Sequence, residues 1–276
     1  METIRLSVRN LVEFILRSGD IDNRKGGIAD KEAMQLGSRL HRKIQGQMGA
    51  DYRAEVPLKY METFPLSGKE NMPEDSETGS YELSVEGRAD GIFTEDGQEI
   101  IDEIKGIYRP LIFLEEPVAV HLAQAKCYAC IYAVQKKLSK IGIQMTYCNL
   151  ESEEIRRFPY IYSTEELKEW FDELIREYRK WCEFQILWKK KRQASIRKIR
   201  FPFPYREGQK ERAAAVYRTS ERKKKILIQG PTGVGKTIST VFPAVKAVGE
   251  GLGEKIFYLT AKTITRTVAE EAFGLL

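Results

Sequence analysis

Two groups of residues in this 276-residue chain have the types and spacing to handle phosphate chemistry. The first is GPTGVGKT, where Gly230, Gly235, Lys236 and Thr237 stand at the G-x-x-x-x-G-K-T spacing, with Thr232, Gly233 and Val234 between them. Triphosphate oxygens need several N–H donors converging at close range. Gly233 and Gly235 lack a Cβ and let the backbone approach, and a helix starting behind the loop adds partial positive charge. In such a loop the lysine meets the β- and γ-phosphates and the threonine hydroxyl meets Mg²⁺. An apolar strand at residues 226–228 and a helical pattern after the loop supply the required order, and KIFYLTAKT reads as a parallel neighbouring strand.

The second group lies in EGRADGIFTEDGQEIIDEIKG, with Asp90 on one predicted strand and Glu103, Ile104 and Lys105 on the next. Glu103 and Lys105 are two positions apart and therefore point to one face. An Asp and a Glu brought together by pairing strands make an oxygen site suited to Mg²⁺ or Mn²⁺, and a neighbouring lysine can orient or deprotonate the attacking water. That is phosphodiester hydrolysis. Taken alone, the pattern is weak in a chain with 31% charged residues. Two flanking motifs give it company: GSRLH places His41 four residues after Gly37, and QAKCY places Gln124 and Tyr128 on one helical face.

The elements that must position these residues are readable. Ser7 caps an amphipathic helix carrying Val8, Leu11, Val12, Ile15 and Leu16, closed by Gly19. A second helix from about Asp30 aligns Leu36, Leu40, Ile44 and Met48 after the turn-like DNRKGG. AEVPLKY, YELSVEG, RADGIFT and EIIDEIKG read as short strands, with residues 64–80 as a surface loop. A helix over AVHLAQAKCYACIYAVQKKL follows, then strands in GIQMTYCNL and RRFPYIYS, completing a compact α/β module over residues 1–162.

Ser163 and Glu166 form a capping box that opens a long helix with Trp170, Phe171, Leu174, Tyr178, Trp181 and Leu187 on its stripe. Its basic end, WKKKRQASIRKIR, suits either a DNA backbone or solvent, and Pro202 and Pro204 mark the next boundary. The expected organisation is a module over 1–162, a helical linker over 163–200 and the front of a nucleotide-binding domain over 201–276. No later strand carries an acidic Mg²⁺ ligand, so an incomplete motor is expected.

Composition excludes several classes. The formal net charge is +5, but 40 acidic residues nearly balance 45 basic ones, so any polyanion surface must be local. The N-terminal apolar residues are interrupted by Arg5, Arg9, Glu13 and Arg17, and no apolar run approaches membrane-spanning length. The expectation is a soluble, cytoplasmic protein of unassigned oligomeric state, with Cys127, Cys130, Cys148 and Cys182 as thiols in a reducing compartment. His121 lacks matched neighbours and reads as structural.

FPYREGQKERAAAVYR, the GPTGVGKT loop and IFYLTAKTITRTVAEEAF together resemble the start of superfamily-two DNA helicases of the XPD/DinG group. That resemblance implies a RecA-like P-loop fold, ATP as ligand, adenine contacts from Arg206 and Gln209, and DNA-backbone contacts from Thr260, Thr263 and Thr265. Similarly, G-x-x-x-H, GRAD, EIK and Q-x-x-x-Y resemble the RecB-like branch of the PD-(D/E)XK nucleases over residues 1–162. It implies a restriction-endonuclease-like mixed sheet flanked by helices. It also implies metal ligation by His41, Asp90, Glu103 and the Ile104 carbonyl, catalysis with Lys105, and DNA contacts by Gln124 and Tyr128. Ala89 stands where that family has proline. Some members carry a four-cysteine iron–sulphur cluster; here every cysteine lies at or beyond 127, and none is expected in this segment. The combined expectation is an ATP-dependent DNA helicase with an N-terminal metal-dependent nuclease acting on single-stranded DNA. The rivals are a non-cleaving DNA-loading module and a P-loop ATPase with another substrate.

Overall fold

The computed structural model describes residues 1–19, 29–66, 79–231 and 233–276, with side chains except at residues 29–34. The DNRKGG turn, most of the expected loop over 64–80 and Thr232 lie outside the described residues. The chain divides into two compact units, Met1–Glu183 and Phe184–Leu276. The division falls inside the long helix that the sequence reading had set apart as a linker.

The first unit is an α/β layer structure built on a six-stranded mixed sheet. Strand β1 (Glu2–Ser7), not foreseen from sequence, leads directly into α1 (Val8–Ile15), whose Ser7 cap accepts the Asn10 N–H through its hydroxyl at 3.1 Å. Helix α2 (Ala29–Gly46) precedes β2 (Arg53–Pro65), β3 (Ser80–Glu95) and β4 (Gln98–Ile107). One 3₁₀ turn (Leu111–Phe113) leads to α3 (Ala119–Lys136), and β5 (Lys140–Asn149) and β6 (Ile155–Ser163) close the sheet. The two segments read as separate strands around Gly87 are one continuous β3, because β2 pairs along nearly all of it. β2 pairs with β3 alone, which makes it an edge strand and tolerates Pro57, a residue with no N–H to give a second neighbour.

One edge of β3 is taken by β2 from Ser80 to Ile92. The other edge is therefore shared: parallel β1 covers Tyr81–Glu86, and antiparallel β4 covers Gly91–Glu95. Beyond Asp102, β4 leaves β3 and continues only beside parallel β5, Lys105 opposite Tyr147. The sheet thus forks between residues 87 and 90 of β3 and the start of Glu103–Ile107 on β4.

Helices cover both faces. Ile104 packs with Leu40 and Ile44 of α2, together with Cys148 and Leu150, while the next residue, Lys105, meets Gln124 of α3. Consecutive strand residues point to opposite faces, so α2 and α3 lie on opposite sides of the sheet. Helix α4 (Thr164–Lys198) starts on the capping box: the Ser163 N–H donates to Glu166 Oε2 at 2.9 Å and the Glu166 N–H to Ser163 Oγ at 3.1 Å. Phe14 of α1 meets Tyr178 and Trp181 edge-on.

The second unit contains the end of α4, then α5 (Gln209–Glu221), α6 (Lys236–Gly249) and α7 (Thr263–Gly274). Ile238, Val241 and Ala272 form its buried cluster. Here one expectation is corrected: neither residues 226–228 nor KIFYLTAKT form a strand, and this unit has none among its described residues. An extended segment becomes a strand only when a neighbour completes its backbone ladder. Neither segment finds one, and Leu227 and Leu259 stand almost wholly exposed.

No helix among the described residues is long and apolar enough to cross a membrane. Removing the capping hydroxyl in Ser163→Ala is expected to cost about 1 kcal/mol, read from the urea midpoint at unchanged slope.

Candidate functional site

The fork gathers the chemical residues of the first unit. The register passes from Ala54–Gly91 to Val56–Ala89 without pairing Glu55 to Asp90, and Glu55 sits at φ +53. The Asp90 carbonyl instead accepts from Gln45 Nε2 of α2 at 2.9 Å. On the fork side, the Asp90 carboxylate does the work of the missing ladder: its Oδ2 accepts the Ile104 N–H at 2.7 Å. His41 Nδ1 lies 3.7 Å from Asp90 Oδ1. His41, Asp90 and the Ile104 backbone therefore meet at one point of the fork.

Glu103 and Lys105 project from the other face. Lys105 Nζ lies 2.8 Å from Glu103 Oε1 and donates to Gln124 Oε1 at 3.1 Å; Gln124 Nε2 donates in turn to the Tyr128 hydroxyl at 3.3 Å. A Cβ at Gly87 would lie 2.6 Å from that hydroxyl, so the glycine makes room for the ring. The four residues predicted from E-x-K and Q-x-x-x-Y form one continuous hydrogen-bonded row.

Glu103 is only 1% exposed, and its second oxygen, Oε2, has no hydrogen-bond partner among the described residues. Burial pushes its pKa up to about 8; Lys105 opposes the rise and the Asp90 charge adds to it. An orphaned buried carboxylate oxygen beside a second carboxylate is what a hard divalent cation would satisfy. Among the described residues no group of three or more His, Cys, Asp or Glu side chains already stands at metal-binding closeness. The donor types nonetheless suit such an ion.

Two features escaped the sequence reading. Asp102, fully buried on the opposite face from Glu103, accepts from Thr146 Oγ1 at 2.6 Å, from the Tyr52 hydroxyl at 3.0 Å and from Gln144 at 3.3 Å. Burial raises its pKa and these donors restrain the rise. Its partner Tyr52 lies across Gly91, where a Cβ would come within 1.9 Å of the ring. The other is His121, whose Nδ1 lies 3.0 Å from the Tyr147 hydroxyl, beside Lys105. Its signal was available: His121, Gln124 and Tyr128 stand at i, i+3 and i+7.

In the second unit, Gly230, Gly233, Gly235 and Lys236 are joined by local contacts. Gly233 and Gly235 sit at φ +82 and +69, and Gly235 caps α6. The positive φ at Gly235 demands glycine there, and Gln209 Nε2 fills the space that a Cβ would take. Gln209 accepts the Arg206 N–H at 2.9 Å and reaches the Gly235 carbonyl at 3.4 Å, and the Arg206 guanidinium donates to the Gly233 carbonyl. The sequence element Arg206–Gln209 is thereby joined to the loop. Lys236 Nζ donates to the carbonyls of Gly230 and Pro231, at 2.7 and 2.8 Å. Lys236, Thr237, Thr240, Tyr258 and Thr265 line a cavity of about 330 Å³. Thr260 and Thr263 are exposed, the latter at the first position of α7.

The four cysteines are free and buried: Cys127 and Cys130 on α3, Cys148 on β5, Cys182 on α4. Burial raises all four thiols, Cys130 and Cys182 to about 12.

No family model matches the chain, and no curated protein matches it. Among solved structures, the crystal structure of SSO0001 is similar at 16% identity and a TM-score of 0.35, covering 62% of this chain and 74% of that one.

The Glu103 environment makes two measurable demands. Its folded-state pKa of about 8 lies above the ordinary 4.5, so metal-free protein loses stability as pH climbs through that window. Glu103→Gln is expected to raise the melting temperature at pH 8 in EDTA by roughly 2–6 °C. Separately, Gly91→Ala is expected to lower the melting temperature, and Tyr52→Ala in the same chain to restore part of the loss.

Proposed function

We propose that this chain is a divalent-metal-dependent DNA nuclease of the RecB-like PD-(D/E)XK type joined to the nucleotide-binding front of an XPD/DinG-like DNA helicase. The observation that carries the reading is the forked sheet, which brings Asp90 to Ile104 and His41 while leaving a buried Glu103 oxygen unpartnered beside Lys105. On this reading the first unit is a restriction-endonuclease-like fold and the second the beginning of a RecA-like one.

Asp90, Glu103, His41 and the Ile104 carbonyl would hold Mg²⁺ or Mn²⁺. When bound, the ion supplies Lewis-acid polarisation of the phosphodiester and lowers the pKa of an attacking water. Lys105, on the same face as Glu103, would orient that water and screen the charge developing on phosphate. Gln124 already fixes the lysine and offers its amide, with Tyr128 behind it, to the DNA strand.

ATP would lie in the loop Gly230–Thr237, with Thr232 and Val234 contributing backbone N–H groups. Lys236 would give up two loop carbonyls for the β- and γ-phosphates, and Thr237 would take Mg²⁺. Arg206 and Gln209 would face adenine, and Thr260 and Thr263 the DNA backbone. Single-stranded DNA is the proposed partner, and nucleotide hydrolysis would feed it toward the nuclease.

The deciding measurement uses the full chain with Mn²⁺ and end-labelled single-stranded DNA, beside Asp90→Ala and Lys105→Ala proteins of unchanged melting. Cleavage by the parent is expected to fall on the order of 10²–10⁴-fold in each. A folded, Mn²⁺-binding parent that does not cleave would replace this reading by the DNA-loading module. In parallel, Lys236→Ala is expected to abolish binding of a fluorescent ATP analogue and leave cleavage intact.

A further inference from the structure

Helix α3 carries a titratable group that the proposed chemistry leaves unused. His121 lies one turn before Gln124 and two before Tyr128, on the helix face that meets Lys105. Its ring packs against Tyr147, the cross-strand partner of Lys105. The hydroxyl of Tyr147 accepts the Val118 N–H at 3.0 Å and lies 3.0 Å from His121 Nδ1. A phenol has one proton to donate. With an N–H already donating to its oxygen, the phenol can give that proton to Nδ1, and in this arrangement the imidazole hydrogen stands on Nε2. Nε2 has no side-chain or backbone partner among the described residues.

Burial holds the ring neutral. It pushes His121 down to about 4, the nearby charges of Lys105 and Arg9 push the same way, and Glu13 opposes them. Tyr147 is itself raised to about 12 and keeps its proton. The result is a neutral imidazole whose Nδ1 is paired with a side chain that is itself tied to the backbone at the start of α3.

We propose that His121 is a third substrate-contacting residue of α3, presenting its Nε2–H as a neutral donor to a phosphate oxygen of the DNA strand held beside Lys105. The assignment rests on the nuclease reading above and extends its contact row to His121, Gln124 and Tyr128. A neutral donor can bind phosphate here without adding a second positive charge next to the lysine.

Two substitutions separate this role from a structural one. In His121→Asn the side-chain oxygen replaces Nδ1 and keeps the Tyr147 bond, but nothing stands at Nε2. In His121→Gln the amide N–H reaches the Nε2 position. Affinity for a labelled single-stranded oligonucleotide is measured by fluorescence anisotropy in Ca²⁺, with cleavage in Mn²⁺ and melting followed alongside. The expected result is about tenfold weaker binding for His121→Asn at unchanged melting, with His121→Gln within about threefold of the parent. Equal binding by all three proteins, equal loss in both variants, or loss in His121→Gln with retention in His121→Asn overturns the assignment. A parent that cleaves while both variants match it removes only His121 from the site; a parent that neither binds nor cleaves removes the nuclease reading beneath it.

Discussion

The parting of β3 from β4 is the constraint on which the first unit depends. Their ladder ends at the pair Gly91–Asp102, and the next residue on each strand, Asp90 and Glu103, parts from the other strand at the same point, Glu103 keeping its place opposite Met145 of β5. Backbone groups freed in this way must be answered by something. The Asp90 carboxylate accepts the Ile104 N–H and Gln45 supplies a donor to the Asp90 carbonyl, so the fork is held open by the residues that line it. The glycines on either side have matching reasons: Gly87 admits the Tyr128 ring and Gly91 the Tyr52 ring. β1 is what allows the fork, because it takes over the edge of β3 that β4 gives up.

Around that opening the unit buries more carboxylate than it neutralises. Among the described residues, Glu103 has Lys105 on one oxygen and no partner on the other, whereas Asp102, one residue earlier and on the opposite face, is surrounded by three donors. The contrast separates their roles. A buried acid with full hydrogen bonding ties strands and Tyr52 together, and a buried acid left short of a partner stores an electrostatic demand. His121, paired with Tyr147, and the Lys105–Gln124–Tyr128 row stand on the same face as that unmet demand.

In the second unit the Gly230–Thr237 loop is built by local rules. Positive φ at Gly233 and Gly235, the start of α6 and the reach of Gln209 and Arg206 across a short stretch of chain define the loop with no strand beside it. Short-range geometry is sufficient for a turn and a cap. It is not sufficient for a strand, whose free energy comes from a neighbour's backbone and from the apolar faces that a sheet buries. That is why the apolar segments around Leu227 and Leu259 stay irregular and exposed.

Helical periodicity, the Ser7 and Ser163 caps, the strand-forming composition of β4 to β6 and the glycine spacing of the Gly230–Thr237 loop were all set by neighbours within a few residues, and were legible in order along the chain. So was the shared face of Glu103 and Lys105, which follows from the pleat alone. The continuity of β3 through Gly87, the pairing of β1 with it, the partnership of Asp102 with Tyr52, and the seating of His121 on Tyr147 were not legible. Each joins residues at least 26 positions apart, and no local propensity encodes which distant strand will occupy an edge. The residue types with chemical potential were thus determined by the sequence. Their convergence at one fork, and the stranding of a single carboxylate oxygen there, were decided by the tertiary structure, because burial and hydrogen-bond satisfaction are properties of packed neighbours.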